Sequence, residues 1–342
     1  MSGSESLCAV QSFGPRHAPG WVALSNALLN RQVTAGALLD EDARRDPTQL
    51  SRRWVVLDRG DGGGVVGTAH LYFFPFDPPG CLHASVLVHP AHRGRGVGRA
   101  LWRTLEAEAR QHNGARLAAT VADNDAASLA WARRRGFAPQ FHRFTSKLDL
   151  HTFDAAAFQA DVERAAAQGV DFADLHGADG PTLDRYVNFV ADRLTETPDL
   201  AGHPRWPLEQ VREILRLDHA PRPEWLVLAV GPDGQWLGTT AMVAVASGTV
   251  AYNELTAVAP GARGRGLALL LKLQAIRRAR EAGFPVMRTN NHSANTPMLA
   301  VNRRLGFAPL PGQYTLVRPA PDSGRARVCP QTFRATPSGR QS

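Results

Sequence analysis

Apolar residues in the first half of the chain follow two different spacings. From Arg52 to Phe74, two apolar runs flank a glycine-rich turn, which predicts a β-hairpin. The stretch from His83 to Pro90 is a third run of this kind and ends at a proline. The segment from Gly96 to His112 repeats apolar residues at every fourth position instead, which predicts a helix. These residues are Val97, Leu101, Leu105 and Ala109.

The alternation of strands and helices continues along the chain. In the first half, a strand is predicted over residues 115–121, a helix from Asp125 to Arg135 and further strand structure over residues 141–150. In the second half, the predicted strands cover residues 224–230, 236–245, 249–260, 285–291 and 313–319, and the predicted helices cover residues 266–281 and 296–305. We therefore expect each half to be a mixed sheet with helices packed on it.

The two halves repeat each other at a nearly fixed distance. An offset of 170 residues carries Val88 onto Val258 and Arg133–Pro139 onto Arg303–Pro309, and upstream the offset is 171. A period of this length corresponds to a whole domain. We therefore expect a tandem duplication. Its predicted parts are an N-terminal domain over residues 1–150, a linker helix within 151–169, a C-terminal domain over 170–320 and a loose tail over 321–342.

The chain of 342 residues has a formal net charge of +8 but only two lysines, Lys147 and Lys272. Arginine supplies the rest of the 39 basic residues, which favours a coding bias of the genome over a designed basic surface. The three cysteines, Cys8, Cys81 and Cys329, have neither metal-ligand spacing nor a disulfide framework. Because the sequence also has no secretory or membrane-spanning pattern, we expect a cytoplasmic protein.

Both halves place a loop of glycines and arginines directly before a predicted helix. The loops run from Arg93 to Gly98 and from Arg263 to Ala268. The first N–H groups of a helix lack partners and the helix dipole is positive at that end, so such a loop favours phosphate binding. A plain solvated turn is the alternative, while the P-loop and the dinucleotide fingerprint fit the spacing less well. The sequence therefore predicts a diphosphate site at each loop.

These loops resemble the signature of the GNAT superfamily of acyl-CoA-dependent N-acetyltransferases, which is Arg or Gln, two residues, Gly, one residue, then Gly or Ala. A second motif of that family, a helix from Asn to Gly-Phe, is similar to residues 295–307 and more weakly to residues 125–137. The resemblance covers nearly the whole chain. It implies an α/β fold with two tandem domains, as in mycothiol synthases, each a mixed, mostly antiparallel sheet flanked by helices.

The resemblance also implies acetyl-CoA as the cosubstrate. Its pantetheine arm would lie between the strand that ends at Val88 or Val258 and the next strand, and its diphosphate would lie on the loop. The residues implied in the first copy are Val86, Leu87, Val88, Arg93, Gly94, Arg95, Gly96, Val97 and Gly98. Those implied in the second copy are Thr256, Ala257, Val258, Arg263, Gly264, Arg265, Gly266, Leu267, Ala268 and Asn295.

Acetyl transfer to an amine needs a base, because an alkylamine with a pKa of about 10 is protonated at neutral pH. Alternation along the strand places Glu254, Thr256 and Val258 on one face, and the offset of 170 gives Ala84 in place of the acid in the first copy. A carboxylate on an apolar strand face is unfavourable unless it is paired or used. We therefore expect Glu254 to be the base, directly or through a water. A salt bridge or an anchoring contact to the substrate amine is the alternative.

The family often carries a tyrosine acid on its last helix, but that position is Asn302 here and Ala132 in the first copy. Asn302 can hydrogen-bond the sulfur or the pantetheine. Tyr314 is a substitute acid, with simple packing of its ring as the alternative. Asn295 is also a good N-cap for the last helix.

No metal is expected. The histidines at 83, 89 and 92 lack the third ligand and the closed geometry that a metal site needs, so they are favoured as ordinary strand or surface residues.

The sequence therefore predicts an acetyl-CoA-dependent N-acetyltransferase that acts on a primary amine, mainly in the second copy. We expect a small-molecule acceptor in preference to a protein, no nucleic-acid or membrane partner, and a monomer or homodimer. The first copy either binds CoA without turnover or serves as a scaffold. The alternative is a non-catalytic protein that senses CoA, or binds nucleic acid through the arginines at 133–135, 303 and 304.

Overall fold

The computed structural model describes residues 9–29, 32–58, 60, 63–74, 77–78, 80–112, 116–198, 200, 202–218, 221–245 and 248–319. The elements of the first half are β1 Val10–Ser12, α1 Ala18–Leu29, α2 Ala35–Arg44, β2 Ser51–Leu57, β3 Val65–Tyr72, β4 Cys81–Val88, α3 Val97–Gln111, β5 Arg116–Ala122, α4 Ala126–Arg133 and β6 Ala138–Asp149. Those of the second half are α5 Gln159–Ala167, β7 Asp171–Asp174, α6 Gly180–Leu194, α7 Leu208–Ile214, β8 Leu226–Val230, β9 Trp236–Val245, β10 Val250–Val258, α8 Leu267–Glu281, β11 Val286–His292, α9 Thr296–Arg304 and β12 Ala308–Arg318.

The first of two compact units contains the strand order β1–β2–β3–β4–β5. Its neighbouring strands are antiparallel except β4 and β5, which are parallel. Val55 of β2 packs with Trp21 and Leu38 under α1 and α2. Helix α3 covers the other face of the sheet and buries Leu101 and Leu105 completely. The mixed sheet with helices on it confirms the predicted fold class.

The second unit contains the order β6–β11–β10–β9–β8–β7, again antiparallel except for the parallel pair β10 and β11. Helix α8 buries Leu267 and Leu271 against one face of the sheet. Helices α6 and α7 cover the other face, where Tyr186 is fully buried. Its hydroxyl group bonds Thr239 Oγ1 at 2.8 Å, and burial raises its pKa.

A glycine lies at the closest approach of helix and sheet in each unit. A Cβ on Gly67 would lie 2.6 Å from Val97 Cγ1, and one on Gly238 would lie 2.7 Å from the carbonyl oxygen of Ala257 and 2.9 Å from Leu271 Cδ1. Atoms do not approach this closely, so only glycine lets α3 and α8 lie directly on their sheets. The two glycine–arginine loops are thereby held next to the ends of β4 and β10.

The last strand of each half contributes to both units. Most of β6 belongs to the second unit, where Arg143–Asp149 pair with Val286–His292 of β11. Strand β12 belongs to the first unit from Thr315 onward, and its Val317 packs there with Ala118. The expected boundary at residue 150 differs from this division, because the strand before it is hydrogen-bonded within the sheet of the second unit.

Most predicted elements are present. The predicted helices begin and end within two residues of the observed helices α3, α4, α8 and α9. Their predicted ranges are residues 96–112, 125–135, 266–281 and 296–305. The linker helix is shorter than expected and covers Gln159–Ala167. The sequence-based reading missed β1, β7 and the helices α1, α2, α6 and α7. The expected tail over residues 321–342 lies outside the described residues, as do Cys8 and Cys329.

In the part of the chain that the structure describes, no helix combines the length and the apolar character that crossing a bilayer requires.

Cys81 is a free, buried thiol, and burial raises its pKa to about 11. A thiol with such a pKa is not reactive at neutral pH, so Cys81 serves as a core residue.

Candidate active site

In the second unit, the parallel strands β10 and β11 separate part of the way along their length. They pair only over Ala251–Asn253 and Met287–Thr289 among their described residues. Beyond this point β10 stays paired with β9 as far as Val258, and β11 stays paired with β6 as far as His292. Two neighbouring strands that diverge in this way leave a wedge-shaped opening between their C-terminal ends, with unpaired backbone groups along its sides.

A β-bulge lies at the apex of this opening. Asn253 pairs with Met242 and Leu255 with Ala241, which is the next residue of β9, so Glu254 is the extra residue. Bulges re-aim the side chains of a strand and often lie beside active sites. In the first unit, β3 and β4 pair without any shift from His83 to Val88.

The bulge changes two sequence-based expectations about Glu254. Ala84 pairs with Leu71 of β3, and Asn253 pairs with the corresponding residue of β9, so Asn253 and not Glu254 is the counterpart of Ala84. Thr256 Oγ1 donates to Asn253 Oδ1 at 2.9 Å, so these two side chains share a face although they are three residues apart. The strict alternation that assigned Glu254 to the face of Thr256 is therefore wrong across the bulge.

Asn253 is 1% exposed and is held by hydrogen bonds on all sides. Its Nδ2 lies within hydrogen-bond distance of Thr240 Oγ1, at 2.8 Å, and of the carbonyl oxygens of Ala241 and Leu255, both at 3.1 Å. Its own carbonyl oxygen accepts a bond from Thr289 Oγ1 on β11 at 3.1 Å. The apex of the opening is therefore a buried polar cluster that ties β9, β10 and β11 together.

Lys272 of α8 completes this cluster from the helix side. It is 2% exposed, and its Nζ donates to Asn253 Oδ1 at 2.6 Å. The Nζ atom also lies 5.3 Å from the centre of the Phe307 ring. Burial lowers the pKa of Lys272 from 10.5 to about 7, because an ammonium group is poorly solvated in the core. A lysine whose charged form is disfavoured by burial therefore lies behind the bulge.

A second buried polar chain begins at β11. Asn291 donates to Ser146 Oγ at 2.9 Å, and its Oδ1 accepts a bond from Asn302 Nδ2 at 2.6 Å. Asn302 is 2% exposed, and among the described residues its Oδ1 has no hydrogen-bond partner. An unpaired buried oxygen is unfavourable, so it indicates a missing donor such as a water or a ligand. Asn302, expected near the sulfur or the pantetheine, therefore has one acceptor available.

The loop between β10 and α8 has the shape of an anion site. Gly264 and Gly266 both have a φ of +78°, which glycine adopts without strain. A Cβ at either position would meet nothing within 4 Å, so the surface above the loop is open. Arg263 Nε donates to the carbonyl oxygen of Val258 at 3.2 Å, and its guanidinium also pairs with Glu196. The start of α8 thus presents backbone N–H groups beside the end of β10.

The first unit repeats the loop. Gly94 and Gly96 have φ values of +76° and +88°, and Arg93 Nε donates to the carbonyl oxygen of Val88 at 3.3 Å. Among the described residues, strands β4 and β5 also pair over three positions, from Cys81 to His83 on β4. Loop and opening are therefore common to both units.

The polar apex, in contrast, belongs to the second unit alone. The counterparts of Lys272, Asn291 and Asn302 at the offset of 170 are apolar residues, and the counterpart of Asn253 is Ala84. They are Trp102, Val121 and Ala132. The Trp102 ring packs edge-on against Phe137 with 5.7 Å between the centroids. The interior of the first unit is therefore an ordinary apolar core at this point.

A large ring also covers the helix start of the first unit. A Cβ on Gly98 would lie 3.7 Å from Trp131 Cζ2 and 3.4 Å from Val88 Cγ2. In the second unit the counterpart of Trp131 is the smaller Val301, and the counterpart of Gly98 is Ala268. The space beside the loop is therefore narrower in the first unit than the loop sequence alone indicates.

Two further candidates have clear local roles. Asn295 caps α9, because its Oδ1 accepts a bond from the backbone N–H of Met298 at 3.3 Å.

Tyr314 lies on β12, which is the third strand from β10 in the sheet. At about 4.8 Å for each strand, Tyr314 is about 14 Å from β10. Its ring packs against His142 at 4.7 Å, and His142 Nε2 lies 3.0 Å from Asp123 Oδ2. This separation favours the packing alternative for Tyr314 over a role as the acid.

The histidines singled out in the first copy have ordinary surroundings. His83 is buried, with its Nδ1 atom 2.8 Å from Asp77 Oδ2. His89 is the N-cap residue of a short 3₁₀ turn, and His92 lies 3.9 Å from Asp58. Across the described ranges, no group of three or more His, Cys, Asp or Glu residues is arranged to hold a metal ion.

Sequence reasoning missed Asn253, Lys272 and Thr289. Lys272 gave a signal, because it is one of two lysines in the chain and interrupts the apolar run at residues 269–273. Asn253 gave none, since the offset of 170 matches it to His83, whereas the pairing of the strands makes Ala84 its counterpart. Asn291, in a polar stretch that is also typical of a turn, lies on β11 and is buried.

Comparisons with known proteins agree with this architecture. Two curated relatives are named mycothiol acetyltransferase. That of Streptomyces avermitilis is 28% identical over 289 residues, covering 80% of this chain and 86% of the relative. That of an Arthrobacter species is 27% identical over 285 residues, covering 79% and 76%.

Solved structures share the fold at low sequence identity. A tandem GNAT protein from the clavulanic acid biosynthesis pathway has a TM-score of 0.62 and 22% identity, over 92% of this chain and 99% of that one. A GCN5-related N-acetyltransferase from Sphaerobacter thermophilus has a TM-score of 0.63 and 18% identity, over 93% and 98%.

The family model described as the Acetyltransferase (GNAT) family matches the chain twice, over residues 25–137 and 190–307. Each match includes one glycine–arginine loop and the helix that follows it. This chain therefore belongs to the GNAT family of acetyltransferases, as a tandem member.

Proposed function

We propose that the chain transfers the acetyl group of acetyl-CoA to the primary amine of a small molecule, and that the second unit performs the reaction. The observation that carries this proposal is the bulge at Glu254, which lies at the apex of an opening whose mouth is the loop from Arg263 to Ala268. In this proposal, the carboxylate and the anion site lie at the two ends of one cleft. The first unit has the loop but neither the acid nor the bulge.

The cleft fits an extended thioester carrier. Backbone N–H groups at the start of α8 and the arginines of the loop would hold the diphosphate, while the unpaired edge of β10 over Thr256–Val258 would bond the amides of the pantetheine arm. The buried Oδ1 of Asn302, which lacks a donor, suits an amide N–H of that arm. When bound, acetyl-CoA supplies the activated acetyl group.

In the proposed reaction, Glu254 takes a proton from the ammonium form of the acceptor, directly or through one water. The free amine then attacks the acetyl carbon, so that a C–N bond forms and the C–S bond breaks. The attacking nitrogen gives up its second proton to the departing thiolate through solvent, which leaves the neutral amide and the free thiol. Because a thiol has a pKa of about 8.5, this transfer needs no dedicated acid. This agrees with the placement of Tyr314 three strands from β10.

The names of the curated relatives suggest the first acceptor to try, which is mycothiol without its acetyl group. Helices α6 and α7 cover the face of the sheet opposite α8, in the segment from Thr182 to Arg216 that we expect to select the acceptor. A panel would add an aminoglycoside, a simple alkylamine and a peptide with a free N-terminus. Release of CoA with one of these amines identifies the acceptor class.

Replacement of Glu254 by Gln tests the proposed base. We expect turnover at neutral pH to fall at least 100-fold, because the amide cannot take the proton of the amine, while binding of acetyl-CoA changes little. Glu281→Gln is a matched control, since Glu281 lies at the end of α8 with its side chain 64% exposed. Full turnover in the Glu254 variant would contradict the proposed role.

Measurements of acetyl-CoA binding and CoA release also distinguish the proposed enzyme from the non-catalytic alternative. Binding of acetyl-CoA without release of CoA for any amine would favour a sensor, and binding of DNA in moderate salt would favour a nucleic-acid-binding protein. Two of the arginines that a nucleic acid would need have partners in the chain. Arg304 pairs with Asp161 at 2.6 Å, and the Cζ atom of Arg135 lies 3.4 Å from the centre of the Trp131 ring.

A further inference from the structure

We propose that Lys272 is a positioning residue for acetyl transfer in the second unit: it holds Asn253, and through Asn253 it fixes the bulge that carries Glu254. This inference rests on the proposed function of the cleft. It assigns a role in that function to Lys272, a buried side chain that bonds Asn253 from the α8 side.

The first step is the presence of a lysine where packing does not need one. Lys272 is among the largest fully buried side chains, and a buried amine is unfavourable unless it is bonded. The same position of the first unit is Trp102, which fills the space with an apolar ring. The fold therefore tolerates an apolar residue here, and the amine in the second unit needs another explanation.

The second step is what the amine contacts. Its one hydrogen bond in the described structure is the 2.6 Å bond to Asn253 Oδ1, and the Phe307 ring lies alongside. Asn253 is the residue directly before Glu254 and the last residue of β10 that pairs with β11. The lysine thus bonds the chain at the residue where the bulge and the opening both begin.

The third step is how the bond acts on the bulge. A bulge leaves a residue outside the regular ladder, so its geometry depends on side-chain bonds to its neighbours. The Asn253 amide has a fixed orientation, because its Nδ2 faces three oxygens while its Oδ1 faces the two donors Lys272 and Thr256. Removal of the amine leaves that oxygen with one donor and loosens the apex on the α8 side. Lys272 itself is buried behind Asn253 and therefore acts through it, without contact to the substrate.

The test compares three variants for kcat and KM. Lys272→Met keeps a long unbranched side chain without a donor, and Lys272→Gln keeps a donor without a charge. Lys147→Met changes the other lysine of the chain, which is exposed on β6, and is the control. We expect Lys272→Met to lower kcat at least 10-fold with the KM for acetyl-CoA within twofold of wild type. Lys272→Gln should recover part of the loss, and Lys147→Met should change neither constant.

Two results would overturn the inference. One is a folded Lys272→Met protein, judged by circular dichroism and a cooperative melt, whose kcat stays within twofold of wild type. The other is an equal loss of kcat in the Met and Gln variants, since a lost hydrogen bond predicts recovery by a donor. If Lys272→Met does not fold, kcat and the KM for acetyl-CoA are measured for Lys272→Gln and Lys272→Arg instead. A lower kcat with an unchanged KM then supports the inference, and a kcat within twofold of wild type overturns it.

A second readout distinguishes failure of this inference from failure of the proposed function. If wild type releases no CoA with any amine, the proposed function has failed, and amide hydrogen exchange then tests the positioning. We expect exchange over residues 250–258 to become at least 10-fold faster in Lys272→Met than in wild type or Lys147→Met. Unchanged exchange over this strand would show that Lys272 does not hold the bulge.

Discussion

Single residues distinguish two units that share one backbone plan. The counterparts of Asn253 and Lys272 in the first unit are Ala84 and Trp102, so the same strands and helix enclose a polar apex in one unit and an apolar core in the other. Buried polar groups persist when they are fully bonded or used. The substitutions at these positions, more than the glycine–arginine loops, therefore support the proposal that the second unit performs the reaction.

The buried lysine makes a prediction about stability and pH. Its pKa is about 7 in the folded protein and 10.5 in the unfolded chain, so between these values the unfolded chain binds a proton that the folded chain does not. Wild-type stability therefore rises with pH across this window, and below pH 7 the full cost of a buried ammonium is present. At about 1.4 kcal/mol for each pH unit, this amounts to about 5 kcal/mol.

The measurement is chemical denaturation of wild type and Lys272→Met at pH 6 and pH 10. Other titrating groups are the same in both proteins and cancel in the difference. We expect the Met variant to gain several kcal/mol relative to wild type at pH 6, and less at pH 10. An equal difference at the two pH values would mean that the lysine has an ordinary pKa.

At this scale the sequence draws attention to Glu254 but not to its setting, and the role of Glu254 as the base stays a prediction. Glu254 is visible because it is the one charged residue of the stretch from Thr249 to Pro260. The bulge is not visible, since the shorter connection between β9 and β10 masks the inserted residue, and the change of offset from 171 to 170 does not show where it lies. The partners of Asn253 come from four different elements, and no local pattern brings them together.

At the scale of elements, the two loops provide a matched pair for mutation. Gly96 and Gly266 both have positive φ values and both precede the first residue of a helix. Alanine at either position is strained by about 1 kcal/mol, and its Cβ would project into open space. We therefore expect Gly96→Ala and Gly266→Ala to lower the melting temperature by a similar few degrees.

Their effects on the reaction are expected to differ. Gly266→Ala places a methyl group where the diphosphate would lie in the catalytic unit, so the KM for acetyl-CoA should rise at least 10-fold. Gly96→Ala should leave steady-state turnover unchanged, because the first unit lacks the acid. Equal effects of the two substitutions on turnover would contradict the assignment of catalysis to the second unit.

The elements that the sequence predicted are those with a strong internal period. Helix α3 shows its apolar stripe at every fourth residue, and both loops end in the same Arg-Gly-Arg-Gly pattern. The missed helix α1 carries Pro19 and Gly20 in its first turn, which read as a break. Helix α6 also begins with Gly-Pro, but Asp179 caps it and gave a signal that could have been used.

At the scale of the whole molecule, the duplication was predictable and the exchange of strands was not. A repeat offset is a property of the sequence, whereas the sheet that a strand joins is decided by contacts far along the chain. Residues Arg143–Asp149 fit either sheet by their alternation, and pairing with β11 determines the outcome. The core of the second unit also includes Leu148 and Phe158, which precede the expected start of the second domain.

This division predicts how the chain can be cut. A fragment of residues 141–319 keeps β6 and the packing of Leu148 on Met287, whereas a fragment of residues 170–319 loses them and exposes the edge of β11. We expect the longer fragment to melt cooperatively and the shorter one to aggregate or to lack a transition, as followed by circular dichroism. A cooperative melt of the shorter fragment would show that β6 is dispensable.

The exchanged strand also sets an order of events during synthesis. The sheet of the first unit includes β12 from Thr315 onward, so the ribosome must translate the second repeat before that sheet is complete. Until then β5 is an open edge on a nascent polypeptide, which is the kind of surface that chaperones shield. The N-terminal unit, although its synthesis begins first, therefore cannot complete its sheet before the second repeat has been made.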